Sequence, residues 1–177
     1  MMLLSVLPAW ESVHPMVIHF PIVLLLMAPL FICIGAALPP PKGRPFLLSA
    51  LILLTLGTAS LVVSISAGEA AAKVLPKDGH VGELIVTHQD LAFETMGIFV
   101  MLLVLFVAIL LVPRVLHRDG RLFSTVLPLA FLLLYCAGAV VLVSTAHDGG
   151  RLVHDFGVHS VGPLSGQNPQ LARHPAN

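Results

Sequence analysis

The stretch His14–Leu38, HPMVIHFPIVLLLMAPLFICIGAAL, contains no Asp, Glu, Lys or Arg. From Met16 onward it is long enough, at about 1.5 Å per residue, to cross a hydrocarbon layer about 30 Å thick as one helix. Three further runs repeat the pattern: Phe46–Gly68, Leu91–Val112 and Leu122–Ala146. Only Leu91–Val112 holds a charged residue, Glu94, one turn inside its start. With 57% hydrophobic and 10% charged residues, the chain does not have the composition of a water-soluble domain. The expected fold is all-α and membrane-integral: a four-transmembrane-helix bundle, with helices at about 16–38, 46–68, 91–112 and 122–146.

Breaks separate the runs. Pro39, Pro40 and Pro41 are expected to stop the first helix, Pro113 the third, and Gly149-Gly150 the fourth. The polar-apolar stretch from Gly149 to His159 reads as a short interfacial segment folding back over the bundle mouth. It would complete a domain over 1–161, followed by a polar tail at 162–177. Met1–Leu7 lacks a basic region, so no cleaved signal peptide is expected.

Lys and Arg set the orientation. Lys42 and Arg44 lie between the first two runs, and Arg114, Arg118 and Arg121 between the last two. The opposite side has Lys73, Lys77, Arg151 and Arg173 spread over a much longer length. The short basic loops are therefore expected in the cytoplasm and both termini in the periplasm. Eight of the nine histidines then share the periplasmic side: His14, His19, His80, His88, His147, His154, His159 and His174. Only His117 faces the other way.

Depth narrows that group. His14 stands at the cap position before Pro15, and His19 lies over a turn further in, where an ionisable side chain is expected to face the bundle interior. His88 is expected just before the apolar body of helix three, and His147 at the end of helix four. His154 and His159 would be carried by the interfacial segment, while His80 and His174 read as loop and tail residues.

HPMVIHFPIVLL near the start and GGRLVHDFGV after the last run resemble the two signature segments of the bacterial membrane family called domain of unknown function 2231. The resemblance covers residues 14–161. The family pattern opens with HP-x-x-x-HFPI, has a His near the start of the third helix, here His88, and closes with GG-x-LVY-x-HGV. This chain departs from it at His154, where Tyr is usual, and at Phe156, where His is common. It also departs at His147, which precedes the glycines, and His159 lies beyond the pattern. The resemblance implies a bacterial inner-membrane protein. Relatives are often joined to, or encoded beside, Rieske or c-type cytochrome domains, which implies electron transfer with such partner subunits.

Three chemistries suit the cluster. A b-type haem needs two imidazoles from separate helices, and His19 with His88 is the expected axial pair. His14, His147, His154 and His159 supply imidazoles enough for a second haem, and Arg151, Lys73 or Lys77 a counter-charge for propionates. A zinc, copper or iron ion could instead be held by His with Glu94, Asp90 or Asp148. In the third reading there is no cofactor, and the imidazoles bond backbone groups freed by Pro15, Pro21 and the two glycines in an accessory subunit. Glu94 is expected as an interfacial carboxylate, with proton acceptance from quinol as its functional alternative. Cys33 and Cys136 are single and expected as small core residues. With no CxxCH, no phosphate-binding glycine loop, no nucleophile elbow and no basic stripe, covalent haem, nucleotide chemistry, hydrolysis and nucleic-acid binding are excluded. The chain reads as an electron-transfer or accessory subunit in contact with membrane lipid rather than a stand-alone enzyme.

Overall fold

The structure, a computed structural model, describes residues 10–75, 79–117 and 120–155. The described residues are almost entirely helical: α1 (Trp10–Val17), α2 (His19–Ala37), α3 (Pro40–Lys73), α4 (Gly79–Val115), and a π-helical turn (Leu122–Val126) leading into α5 (Leu127–His154). They form four helical spans long and apolar enough to cross a membrane. α1 and α2 make one such span, interrupted at Ile18. Pro21 has no N–H to offer the Val17 carbonyl, and the Ile22 N–H reaches Ile18 O only at 3.5 Å.

The helices outrun the apolar segments at both ends. Prolines favour a helix's first turn, so Pro40 and Pro41 open α3 rather than lengthening a loop. α4 starts at Gly79, not Leu91, which places His80 and His88 on a helix instead of in a connection. It also continues past Pro113 to Val115. α5 passes through Gly149-Gly150 without a break, so the expected fold-back does not begin there and residues up to His154 are helical. Helical glycine costs about 1 kcal/mol relative to alanine, a cost that packing against a neighbour offsets. Lys77, Asp78, Arg118, Asp119, Phe156, His159, Arg173, His174 and the tail at 162–177 lie outside the described residues.

α2 packs along α3 and α4 along α5, while α3–α4 and α2–α5 contacts close the ring and α1 lies on α3. The core positions recur in a shared register. His14, Ile18, Pro21, Leu25, Ala28 and Ile32 face inward at alternating spacings of four and three, and His88, Ala92, Thr95, Phe99, Leu102 and Phe106 repeat the series and its degrees of burial. On the returning helices, Leu47, Ala50, Leu54, Gly57, Leu61, Ser64 and Gly68 recur as Pro128, Phe131, Tyr135, Gly138, Leu142, Thr145 and Gly149. Spacing by threes and fours is the seam of a left-handed helix bundle. A Cβ on Gly57 would lie 2.6 Å from Leu25 Cδ2, and one on Gly138 2.9 Å from Leu102 Cδ1. Both glycines therefore let their hairpin close. By register, the described helices form two hairpins with equivalent inward positions.

An aromatic column fills the centre, with Tyr135 edge-on to Phe99 and Phe131, and Phe131 stacked on Phe106 at 4.9 Å. The Tyr135 hydroxyl donates to the Leu25 carbonyl at 2.7 Å. Pro29, four residues after Leu25, cannot supply the helical N–H for that carbonyl. Cys33 and Cys136, expected in the core, are exposed on the bundle surface.

Candidate functional site

At the end of the bundle where α1 begins and α5 finishes, all the helices surround a mainly apolar cavity of about 210 Å³. His14 and His88 both line it. They hold the same place in the two inward series, so the hairpin equivalence brings them to one cavity from helices that are diagonal in the bundle.

Each imidazole rests against a glycine of a returning helix. His14 Nδ1 is 2.8 Å from the Ser64 carbonyl oxygen, and a carbonyl accepts only, so Nδ1 carries the proton and donates. A Cβ on Gly68, one turn beyond Ser64, would fall 3.0 Å from His14 Cε1. His88, which lines the cavity together with Thr145, makes no such bond: its Nδ1 is buried without a partner among the described residues. Gly149, one turn beyond Thr145, is packed against it, and a Cβ there would lie 3.0 Å from His88 Cε1. Gly68 and Gly149 thus form matching seats for the two rings, and His14 adds a carbonyl bond to Ser64. This explains why Gly149 continues the helix: its missing side chain is where His88 sits.

The polar inventory of the cavity is small. Thr95 Oγ1 and Thr145 Oγ1 are 2.7 Å apart, and Thr95 donates to Leu91 O at 2.7 Å. Thr145 likewise donates to Val141 O at 2.9 Å, so each hydroxyl has a carbonyl acceptor on its own helix. Two buried polar atoms on the lining, Ser64 Oγ and His88 Nδ1, have no hydrogen-bond partner among the described residues. Buried polar groups are nearly always satisfied. With His14 Nδ1 engaged as a donor, Nε2 of that ring keeps its lone pair, the state in which an imidazole binds a metal.

The other expected ligands fall elsewhere. His19, expected inside, is exposed and does not line the cavity. With Ile18, Pro21 and Leu25 turned inward, a residue one step from Ile18 points outward, and register overrides the depth argument. His147 and His154 are exposed on α5 and also do not line the cavity. Arg151 is engaged by Asp155 at 3.4 Å and Asp148 at 3.9 Å, so it is not a free counter-charge. His80 lies 3.6 Å from Glu83, away from the cavity, and Glu94 is exposed on α4. Among the described residues, no three His, Cys, Asp or Glu side chains converge as a metal site. Thr95 and Thr145 had escaped the sequence reading, although Thr145-x-x-x-Gly149 repeats Ser64-x-x-x-Gly68.

A family model described as "Predicted membrane protein (DUF2231)" matches residues 11–162. No curated protein and no solved structure matches the chain.

Proposed function

The chain belongs to the DUF2231 family of predicted membrane proteins, and on that premise we propose that it is a haem-binding electron-transfer subunit, with His14 and His88 as the residues that would hold the iron. The observation behind this reading is the pair itself. Two equivalent imidazoles reach one apolar cavity from diagonal helices, one with its tautomer fixed by the Ser64 carbonyl and the other with a buried unpartnered nitrogen. A carbonyl bond to the far nitrogen of a ligating His is the usual outer-shell arrangement around a metal.

The donor set fits a b-type haem, which supplies reversible one-electron chemistry when bound. In that state His14 and His88 would hold the iron, the apolar lining would receive the ring body, and Gly68 and Gly149 would hold both imidazoles in place. Lys73, between lining residues Ala72 and Val74 at the end of α3, is the available counter-charge in place of Arg151. One haem is proposed, because His147 and His154 do not reach the cavity. The proposed location is the bacterial inner membrane with this bundle end in the periplasm. The electron donor would be quinol or a Rieske-like or c-type cytochrome subunit, with a second carrier as acceptor. Electrons would enter and leave at one face, since the imidazole pair lies at one end.

The test is a reduced-minus-oxidised and pyridine haemochrome spectrum of the purified protein with metal analysis. The expected result is a b-type band lost in His14→Ala and in His88→Ala but retained in His19→Ala. Stoichiometric zinc, copper or non-haem iron without that band would replace the haem by an ion. Neither signal, with tight co-purification in a larger complex, would make the protein a cofactor-free accessory subunit.

A further inference from the structure

The two cavity histidines stand on unlike supports. In the shared register Pro15 corresponds to Gln89, Ile18 to Ala92 and Pro21 to Thr95. α4 runs unbroken through the second set, so His88 has continuous helix on both sides. In the first set α1 ends at Val17 and α2 starts at His19, which leaves His14 on a separate segment of eight residues.

The backbone accounts for the break. An unbroken helix would have residues 19, 20 and 21 donate to the carbonyls four before them. Pro21 has no N–H to donate, and among the described residues no backbone N–H of α2 reaches a carbonyl of α1. Two bonds through Ile18 join the segments: its N–H to His14 O at 3.2 Å, and the Ile22 N–H to Ile18 O at 3.5 Å. Ile18 itself keeps helical dihedrals, φ −61° and ψ −25°, so the joint lacks hydrogen bonds without being strained. Proline is the ordinary cause of such an opening in the helical ladder.

α1 is held chiefly from the side. It packs on α3 and has no extensive contact with α4 or α5. His14 Nδ1 donates to the Ser64 carbonyl at 2.8 Å, and the ring lies against Gly68. So short a helix does not persist by its own propensity, and its position depends on these contacts. Both His14 and Pro15 line the cavity, and Pro15 is exposed at its rim.

We propose that α1 is a hinged gate on the His14–His88 cavity. It turns at Val17–Ile18, where two elements meet and a hinge is ordinarily found. Opening breaks the His14–Ser64 bond, uncovers the cavity beside Pro15 and withdraws His14, while His88 stays fixed on α4. A ligand enters when one imidazole is in place, and closure of the arm supplies the other. The gate serves whatever occupies the cavity, so it does not require haem.

The test is hydrogen–deuterium exchange of the full chain in nanodiscs. Pro21→Ala returns an N–H to the joint, so amides at 14–18 should exchange about tenfold more slowly, the effect of one recovered backbone bond. Pro29→Ala, further along α2, should leave them unchanged. His14→Phe, which removes the side bond, should speed exchange at 14–18 and leave 84–91, the matching stretch of α4, as it was. Cavity opening is read separately with Cys33 and Cys136 replaced by alanine. In that background Ser64→Cys keeps the carbonyl that His14 bonds and places a thiol on the cavity wall. Its alkylation by N-ethylmaleimide should slow with Pro21→Ala and quicken with His14→Phe. Unchanged exchange at 14–18 in Pro21→Ala would overturn the gate, because fraying of the first turn of α1 is indifferent to residue 21. So would equal slowing by Pro29→Ala, or an alkylation rate that neither variant alters.

Discussion

Removing the Tyr135 hydroxyl tests how the bundle manages proline in its centre. Tyr135 is fully buried, and its hydroxyl donates at 2.7 Å to the Leu25 carbonyl. Pro29 deprives that carbonyl of its helical donor, so Tyr135→Phe leaves a buried acceptor with nothing to bond. An orphaned buried group costs about 1–3 kcal/mol in soluble proteins, whereas measured pairs inside membranes average about 0.6 and reach about 1.7 kcal/mol. The Leu25 carbonyl has no alternative helical donor, which places the expected cost near the upper membrane value, about 1.5 kcal/mol. Pro29→Ala restores the N–H four residues on, so in that background Tyr135→Phe should cost below about 0.5 kcal/mol. Reversible SDS unfolding in mixed micelles, followed by helical circular dichroism, measures all four corners of the cycle. An equal Tyr135→Phe cost with and without Pro29 would refute the pairing of this hydroxyl with the proline gap. A negligible cost in both backgrounds would refute it too.

Two further outcomes follow from close contacts. Gly68→Ala and Gly149→Ala each place a Cβ 3.0 Å from an imidazole carbon, so each should displace its ring. With haem held there as proposed, both should lower its occupancy, read spectroscopically, to a similar degree. The helices themselves should hold, since alanine adds up to about 1 kcal/mol of helix propensity; unequal losses would count against the equivalence of the hairpins. Gly43→Ala drives a Cβ into the Gly35 backbone, which cannot rotate away as a side chain can. A destabilisation of about 3 kcal/mol is expected in the same unfolding assay, and a neutral result would mean that the first hairpin opens easily at that end.

The four spans were legible because a charge-free run of membrane length has few other uses, and the family was legible in HPMVIHFPI. Helix ends were not. Gly79–Asp90 and Gly149–His154 are polar enough to read as connections, yet they continue as helix beyond the apolar runs, where hydropathy no longer reports on them. The pair of cavity histidines was half legible. His88 was read from its place before helix three, but depth favoured His19 over His14, and depth says nothing about which way a residue points. The spacing did contain that information: from Leu25, Ala28 and Ile32, steps of four and three lead back to His14 and bypass His19. Reading it required knowing which helices share a seam. The same register brings His14 and His88 into equivalent places, where each hairpin supplies one imidazole and one glycine against which a ring packs. Where the equivalence fails, Gly35 and Gly43 close one hairpin, while the other keeps an apolar groove lined by Val112 and Phe123. A repeated register thus places an equivalent histidine pair at one end of the bundle and leaves the two hairpins unlike at the other.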